Sequence, residues 1–179
     1  MPITIKVPAR EFYDRDKGVF INFDGGELTL EHSLLSVSKW EGKYEKPYLS
    51  SEKTEEEVLD YVRFMTLTKH VDPLIYYCLT EENINDIANY INKKHHANVF
   101  SSKEESKSKE YITATTIYYQ MFAQGIDKDC ERWHLNQLMA LIKMCSIKNA
   151  PPKKMSKQDV YKRQAGINKA NRKKFRSKG

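Results

Sequence analysis

Apolar and polar residues alternate along the first part of the chain, and a period of two is typical of half-buried β-strands. The alternation runs through residues 3–7, 19–23 and 27–32. Asp24-Gly25-Gly26 separates the last two runs, and such residues accept the positive φ of a tight hairpin. We therefore predict a small antiparallel sheet, or a pair of hairpins, within about residues 1–40. So few strands need a covering layer.

The apolar period changes to three or four beyond Pro47, as in amphipathic helices. Thr54 and Glu57 have the spacing of a capping box, Asp72 precedes a proline as an N-cap would, and Thr80 can cap a further helix. Two apolar stripes follow the first and last of these signals. They comprise Val58, Leu59, Val62 and Met65 in the first helix, and Ile84, Ile87, Ala88 and Ile91 in the second.

The second half of the body is also predicted to be helical. Residues 101–109 contain no apolar side chain and indicate a surface loop. Residues 110–124 mix strand-forming and helix-forming types, but the run is too long for a typical strand and ends at Gly125, so we predict a helix. Asp127 then caps a long helix that is apolar nearly all round and reaches Cys145. These patterns predict an α+β fold, with strands in about residues 1–40 and helices in about 54–146.

Charge divides the chain into a body, residues 1–150, and a basic C-terminal helix or tail, residues 151–179. Residues 153–179 contain eleven Lys or Arg and a single acid, Asp159. That stretch carries +10 and the whole chain +6, so residues 1–152 carry −4. Blocks of one sign usually meet an anionic partner, or else form a solvated tail. We predict a helix from Ser156 to Ser177 whose thin apolar seam is too small to stabilise it alone.

Motifs for chemistry are scarce. The sequence has no glycine-rich phosphate loop and no nucleophile elbow. Cys130 and His134 have the spacing of two metal ligands on a helix, but structural zinc needs four, so we expect no metal. Because no catalytic or phosphate-binding motif is present either, we also expect no cofactor and no catalytic residue. His95-His96 is interpreted as surface, and 14–18 as a turn that lacks the final glutamate of a calcium loop.

Composition sets the compartment that we expect. Hydrophobic residues make up 40% of the chain and charged residues 30%, which is typical of a globular protein. Three widely spaced cysteines indicate reduced thiols in the cytoplasm, and the N-terminus lacks the pattern of a signal peptide. No apolar run reaches the length of a membrane span, so we expect no membrane association.

Three aromatic residues, Trp40, Tyr44 and Tyr48, alternate with lysines in residues 38–48. Such a stretch could stack nucleic-acid bases beside phosphate-binding cations. Alternatively the rings pack on the sheet while the lysines extend to solvent. We favour packing, because Glu41 and Glu45 would repel a nucleic-acid backbone.

Several segments resemble, in the same order, a family of small tailed-bacteriophage proteins that also ends in an Asn-Arg-Lys-Lys-rich helix. The family belongs to the tail morphogenesis module and is known as tail assembly chaperones. The segments are Leu30–Glu41, Pro47–Leu49, Glu57–Arg63, Trp133–Asn136 and Ile147–Ser156.

The resemblance implies a non-enzymatic chaperone that binds the tape measure protein in the host cytoplasm, and it leaves open a place in the virion. The sequence leaves open whether copies of the chain form a homo-oligomer. The alternative is a virion or packaging protein whose residues 153–179 bind DNA or RNA. The basic helix could instead meet acidic side chains of the body, at 55–57, Asp60 and 81–82, on this or a neighbouring copy. Candidate partner-binding residues are Trp40, Tyr44, Tyr48, Lys162, Arg163, Arg172, Lys173, Lys174 and Arg176.

Overall fold

The computed structural model describes residues 2–14, 18–98, 111–150 and 157–175. Within them the predicted α+β class is confirmed, because short antiparallel strands at the N-terminus are followed by helices. The strands are β1 (Ile3–Val7), β2 (Arg10–Asp14), β3 (Val19–Phe23) and β4 (Gly26–Leu30). The helices are α1 (Leu34–Tyr44), α2 (Glu55–Met65), α3 (Glu81–Asn92), α4 (Ala114–Ala123), α5 (Leu135–Asn149) and α6 (Lys157–Phe175).

The four strands form two nested pairs, β1 with β4 and β2 with β3, both antiparallel. The register runs on without a shift, from Ile3 opposite Leu30 to Asp14 opposite Val19. A tight hairpin at Gly25 between β3 and β4 was therefore the wrong prediction. Gly25 has φ +84°, and a Cβ there would lie 3.0 Å from the Ala9 nitrogen and the Val7 oxygen. Gly25 lies in the gap between β3 and β4, where this part of the chain passes close to the segment between β1 and β2, and the chain does not reverse there.

Helix α1 was missed, since the sequence predicted strands to about residue 40 and then a connector. It begins at a capping box in which Ser33 and Ser36 bond each other's backbone amides. Serine at the third helical position indicates a capping box less clearly than glutamate does. The alternation of apolar and polar residues in 27–32 also runs directly up to Ser33, so nothing in the sequence clearly indicates that a helix begins there. The capping box at Thr54 and the cap at Thr80 are confirmed, and so is a helix between residues 110 and 124.

The start of the long helix was predicted too early. Asp127 caps a short 3-10 helix, Lys128–Arg132, and α5 begins only at Leu135. A second 3-10 helix, Pro73–Cys78, begins at the predicted cap Asp72. Cys130 and His134 therefore do not share a helix, and the spacing that suggested a pair of metal ligands does not apply to them.

The core lies where the strands, α1, α2, α4 and α5 meet. Its fully buried side chains include Leu28, Leu30, Leu34, Val37, Trp40, Met65, Ile117, Met121 and Leu138. The segment after α2 extends the sheet along β4, because the Leu67 amide donates to the Thr29 carbonyl at 2.8 Å. The chain divides into two compact units, Met1–Ser146 and Ile147–Gly179. The loop predicted at residues 101–109 and the spacer Pro151-Pro152 lie outside the described residues.

Candidate partner-binding surfaces

The three aromatic residues of the candidate surface lie in and just after α1. Trp40 is fully buried and donates from Nε1 to the Glu57 carbonyl of α2 at 2.9 Å. Tyr48 is also buried, with its ring edge-on to the indole at 5.2 Å between centroids, and Tyr44 is partly buried. The fully buried ring of Trp40 therefore offers no surface to a partner in this fold, whereas Tyr48 lines a shallow groove at the surface of α2 and α3. The structure places both rings between α1 and α2 and favours the packing alternative, though the rings pack on a helix and not on the sheet.

Two lysines lie over these rings, Lys46 from the same stretch and Lys53 from the segment that follows it. Lys46 lies 5.6 Å from the centroid of Trp40, and Lys53 lies 4.3 Å from that of Tyr48. Lys46 also forms an ion pair with Glu57 at 2.7 Å. Burial lowers the pKa of Lys53. Lysines that are placed over aromatic rings and paired with helix carboxylates stabilise the packing of α1 on α2.

A buried carboxylate, Asp60, holds the other side of this helix pair. Lys43 and Arg63 form ion pairs with it, and the Tyr44 hydroxyl donates to it at 2.7 Å. Burial alone would raise the pKa of Asp60, but the hydrogen bonds from Lys43, Tyr44 and Arg63 outweigh that effect and hold it at about 2. Asp60 is therefore occupied within its own helix pair and is a poor candidate to receive a basic helix.

Helix α6 carries the remaining candidate residues, and every residue of it is exposed. It holds seven Lys or Arg against one acid, Asp159. Its apolar side chains are exposed as well, with Val160 at 50% and Ile167 at 45% exposure. The prediction of a helix here is confirmed for residues 157–175. The candidate side chains of α6 are Lys162, Arg163, Arg172, Lys173 and Lys174, whereas Arg176 lies outside the described residues.

Sequence reasoning missed a cluster of three histidines, in which His32 and His134 are buried and His95, interpreted as surface, is partly buried. The rings of His95 and His134 stack at 3.8 Å between centroids, and His32 lies edge-on to His134 at 5.1 Å. His134 Nδ1 accepts from the Asn136 amide, and Nε2 contacts the Tyr90 carbonyl at 3.2 Å. An amide donor at Nδ1 requires the neutral ring. The cluster is assembled from three separate parts of the chain, so no local spacing announces it.

Burial and the neighbouring imidazoles lower the pKa values of His32 and His134. Desolvation, with repulsion from His134 and His95, lowers the pKa of His32 from 6.5 to about 3. Desolvation and His95 likewise lower the pKa of His134 to about 4. His32 Nδ1 lies 2.5 Å from the Tyr61 hydroxyl. This arrangement places two neutral, hydrogen-bonded rings, those of His32 and His134, in the interior, which is a structural role.

In the described part of the chain, no group of three or more His, Cys, Asp or Glu is arranged to hold a metal ion. No helix in the same ranges has both the length and the apolar character needed to span a membrane. Comparison with protein-family models, curated proteins and solved structures finds no match.

Proposed function

We propose that this chain is a non-enzymatic binding protein that acts through α6, and that its partner is another protein. One observation carries the proposal: a 19-residue helix has its cationic face and its apolar seam exposed together. Most helical stability in proteins comes from packing of an amphipathic face, so α6, whose residues are all exposed, would gain stability from contacts with a partner. A surface that combines apolar and cationic side chains fits an acidic, partly apolar protein surface better than a purely anionic one.

The resemblance noted in the sequence supplies the kind of partner. We propose a phage tail assembly chaperone that shields the tape measure protein in the host cytoplasm before the tail tube forms around it. Such a role requires an exposed surface and no reaction. Binding mediated largely by exposed charges would be weak per contact and sensitive to salt, which suits a transient assembly role.

The competing function is nucleic-acid binding through the same helix, and the charge of α6 favours it. Seven basic residues could contact phosphates, and the affinity would then fall steeply as salt rises. The two functions differ in whether Val160 and Ile167 contribute to binding. A protein partner would contact these apolar side chains, whereas phosphate contacts do not need them.

Truncation tests whether α6 is the binding element. A chain ending at Pro152 is expected to bind the tape measure protein of the same genome at least about tenfold more weakly than the full chain, because each buried Val or Ile is worth about 1.5–3 kcal/mol. Isothermal titration calorimetry measures this. Unchanged partner binding and self-association, together with loss of tight, salt-sensitive DNA or RNA binding, would establish the nucleic-acid function instead.

Two paired variants of the full chain separate the contributions. Replacing Val160 and Ile167 with serine removes the seam and keeps every charge, and we expect weaker protein binding. Replacing Lys173 and Lys174 with glutamine keeps the seam and removes two charges, which would chiefly reduce the salt slope. If the serine variant binds protein normally while the glutamine variant does not, the seam has no part in recognition.

A further inference from the structure

A groove between α2 and α3 is lined almost entirely by apolar side chains. Its volume is about 90 Å³, and its lining includes Val58 and Val62 from α2 and Ile84, Ile87, Ala88 and Ile91 from α3. These are the two stripes that the sequence predicted to be core. The structure buries only part of them, because Val58 remains 39% and Ile84 37% exposed.

The helices leave this groove open because each buries a different face. Helix α2 turns Glu57 and Asp60 toward α1, where the Glu57 carbonyl accepts from Trp40 and Asp60 pairs with Lys43. Helix α3 buries Asn83 and Tyr90, which bond the Lys6 carbonyl and the Glu31 carboxylate. Val62, Met65 and Ile87 join the core as well, so the members of the two stripes that stay exposed are Val58, Ile84 and Ala88.

Acidic residues stand at the head of each exposed stripe. Glu55 lies three residues before Val58, and Glu81 three residues before Ile84, a spacing that places each on the same helix face as the aliphatic side chain. Within the described ranges neither glutamate has an ion pair. Glu56 and Glu82 add to the negative charge, and Lys53 is the cation of the groove wall.

We propose that this groove binds a cationic amphipathic helix of a partner protein. Aliphatic side chains would enter the groove, and Lys or Arg on either side would meet the acidic first turns of α2 and α3. A helix fits better than a strand, because the amides of α2 and α3 are already bonded within their helices and would leave an extended backbone without partners. Helices of 11 and 12 residues offer about 17 Å, or about three turns of a bound helix.

The inference rests on the proposed function only in taking the partner to be a protein, and it places a second contact on the body. The probe is a labelled peptide of about 18 Leu and Lys residues with leucine at i, i+3, i+4 and i+7. Full-length protein is titrated in fluorescence anisotropy. Two further peptides are compared with it: one with the same composition in scrambled order, and one with glutamate in place of lysine. We expect the amphipathic cationic peptide to bind at least about tenfold more tightly than either.

Variants of the body locate the contact. Ala88→Gln fills the groove from an exposed helix position and is expected to weaken peptide binding at least about tenfold. Replacing Glu55 and Glu81 with glutamine should weaken binding and its salt dependence. Glu11→Gln in β2 with Asp24→Asn, between β3 and β4, removes the same charge away from the groove and should do neither. Circular dichroism and thermal melting confirm that each variant folds.

Three results would overturn the proposal. Equal binding of the scrambled peptide would reduce the interaction to charge alone. Unchanged binding to the Ala88→Gln protein would place the site elsewhere. Self-association that Ala88→Gln abolishes and the peptide does not compete with would make a second copy the occupant. The peptide and Ala88→Gln test the groove and truncation at Pro152 tests α6, so the groove can fail while the truncation still supports the proposed function, and the reverse also holds.

Discussion

Replacing Trp40 with alanine is expected to lower the free energy of unfolding by about 3–5 kcal/mol, the usual cost of truncating a buried aromatic residue. The indole is fully buried, packs against Tyr44 and Tyr48, and donates a hydrogen bond to the Glu57 carbonyl. Its loss would open a cavity between α1 and α2 beneath Lys46 and Lys53. Urea denaturation followed by circular dichroism measures the change.

The chain offers a matched control, because its other tryptophan, Trp133, is 42% exposed. Trp133→Ala removes the same group, and we expect a loss below about 1 kcal/mol, since exposed side chains contribute little to packing. The pair of variants also decides between the two interpretations of residues 38–48. If Trp40→Ala leaves the stability intact but abolishes partner binding, the indole belongs to a binding surface and the arrangement of α1 on α2 described above is wrong.

Local signals fixed much of the helical part of the fold in advance. Thr54 and Thr80 each cap a helix through contacts within three residues, so their consequences can be predicted without tertiary structure. Helix α1 was harder, because its cap uses two serines and follows directly on a strand pattern. The role of Gly25 depends on how closely Ala9 approaches it, which is a non-local fact that the local turn chemistry cannot supply.

The candidate binding surfaces also differ in whether the sequence alone could predict them. The basic character of α6 follows from a charge count, so its residues could be named from the sequence alone. The α2–α3 groove could not be predicted, because Val58 and Ile84 have the period of core residues. They remain exposed because the helices turn other residues, among them Asp60 and Tyr90, toward the core. Trp40 illustrates the converse, since the lysines beside it suggest a binding surface but in the structure they cover its buried ring.

Acid should destabilise this protein well above the pH at which carboxylates are usually protonated. In the unfolded chain His32 and His134 take up protons near pH 6.5, but in the fold their pKa values are about 3 and about 4. The unfolded state therefore binds more protons below about pH 6.5, and the stability falls until the pH reaches the folded values. Each histidine costs about 1.4 kcal/mol per pH unit, so the two together remove up to about 4 kcal/mol by about pH 5.

Urea denaturation at a series of pH values between about 7.5 and 5 measures this slope, and substitutions assign it. His134→Asn keeps an acceptor near the position of Nδ1 and should be less stable at neutral pH, with a slope reduced by about half. His70 is exposed with φ +53°, a conformation that asparagine tolerates, so His70→Asn removes a histidine and should leave the slope unchanged. Asp60 affects the pH dependence of stability only below about pH 4, because its pKa falls from 3.8 in the unfolded chain to about 2 in the fold. A flat profile above pH 5 in the unmodified protein would mean that the cluster is open to water or already charged, in contradiction to the stacked, neutral arrangement.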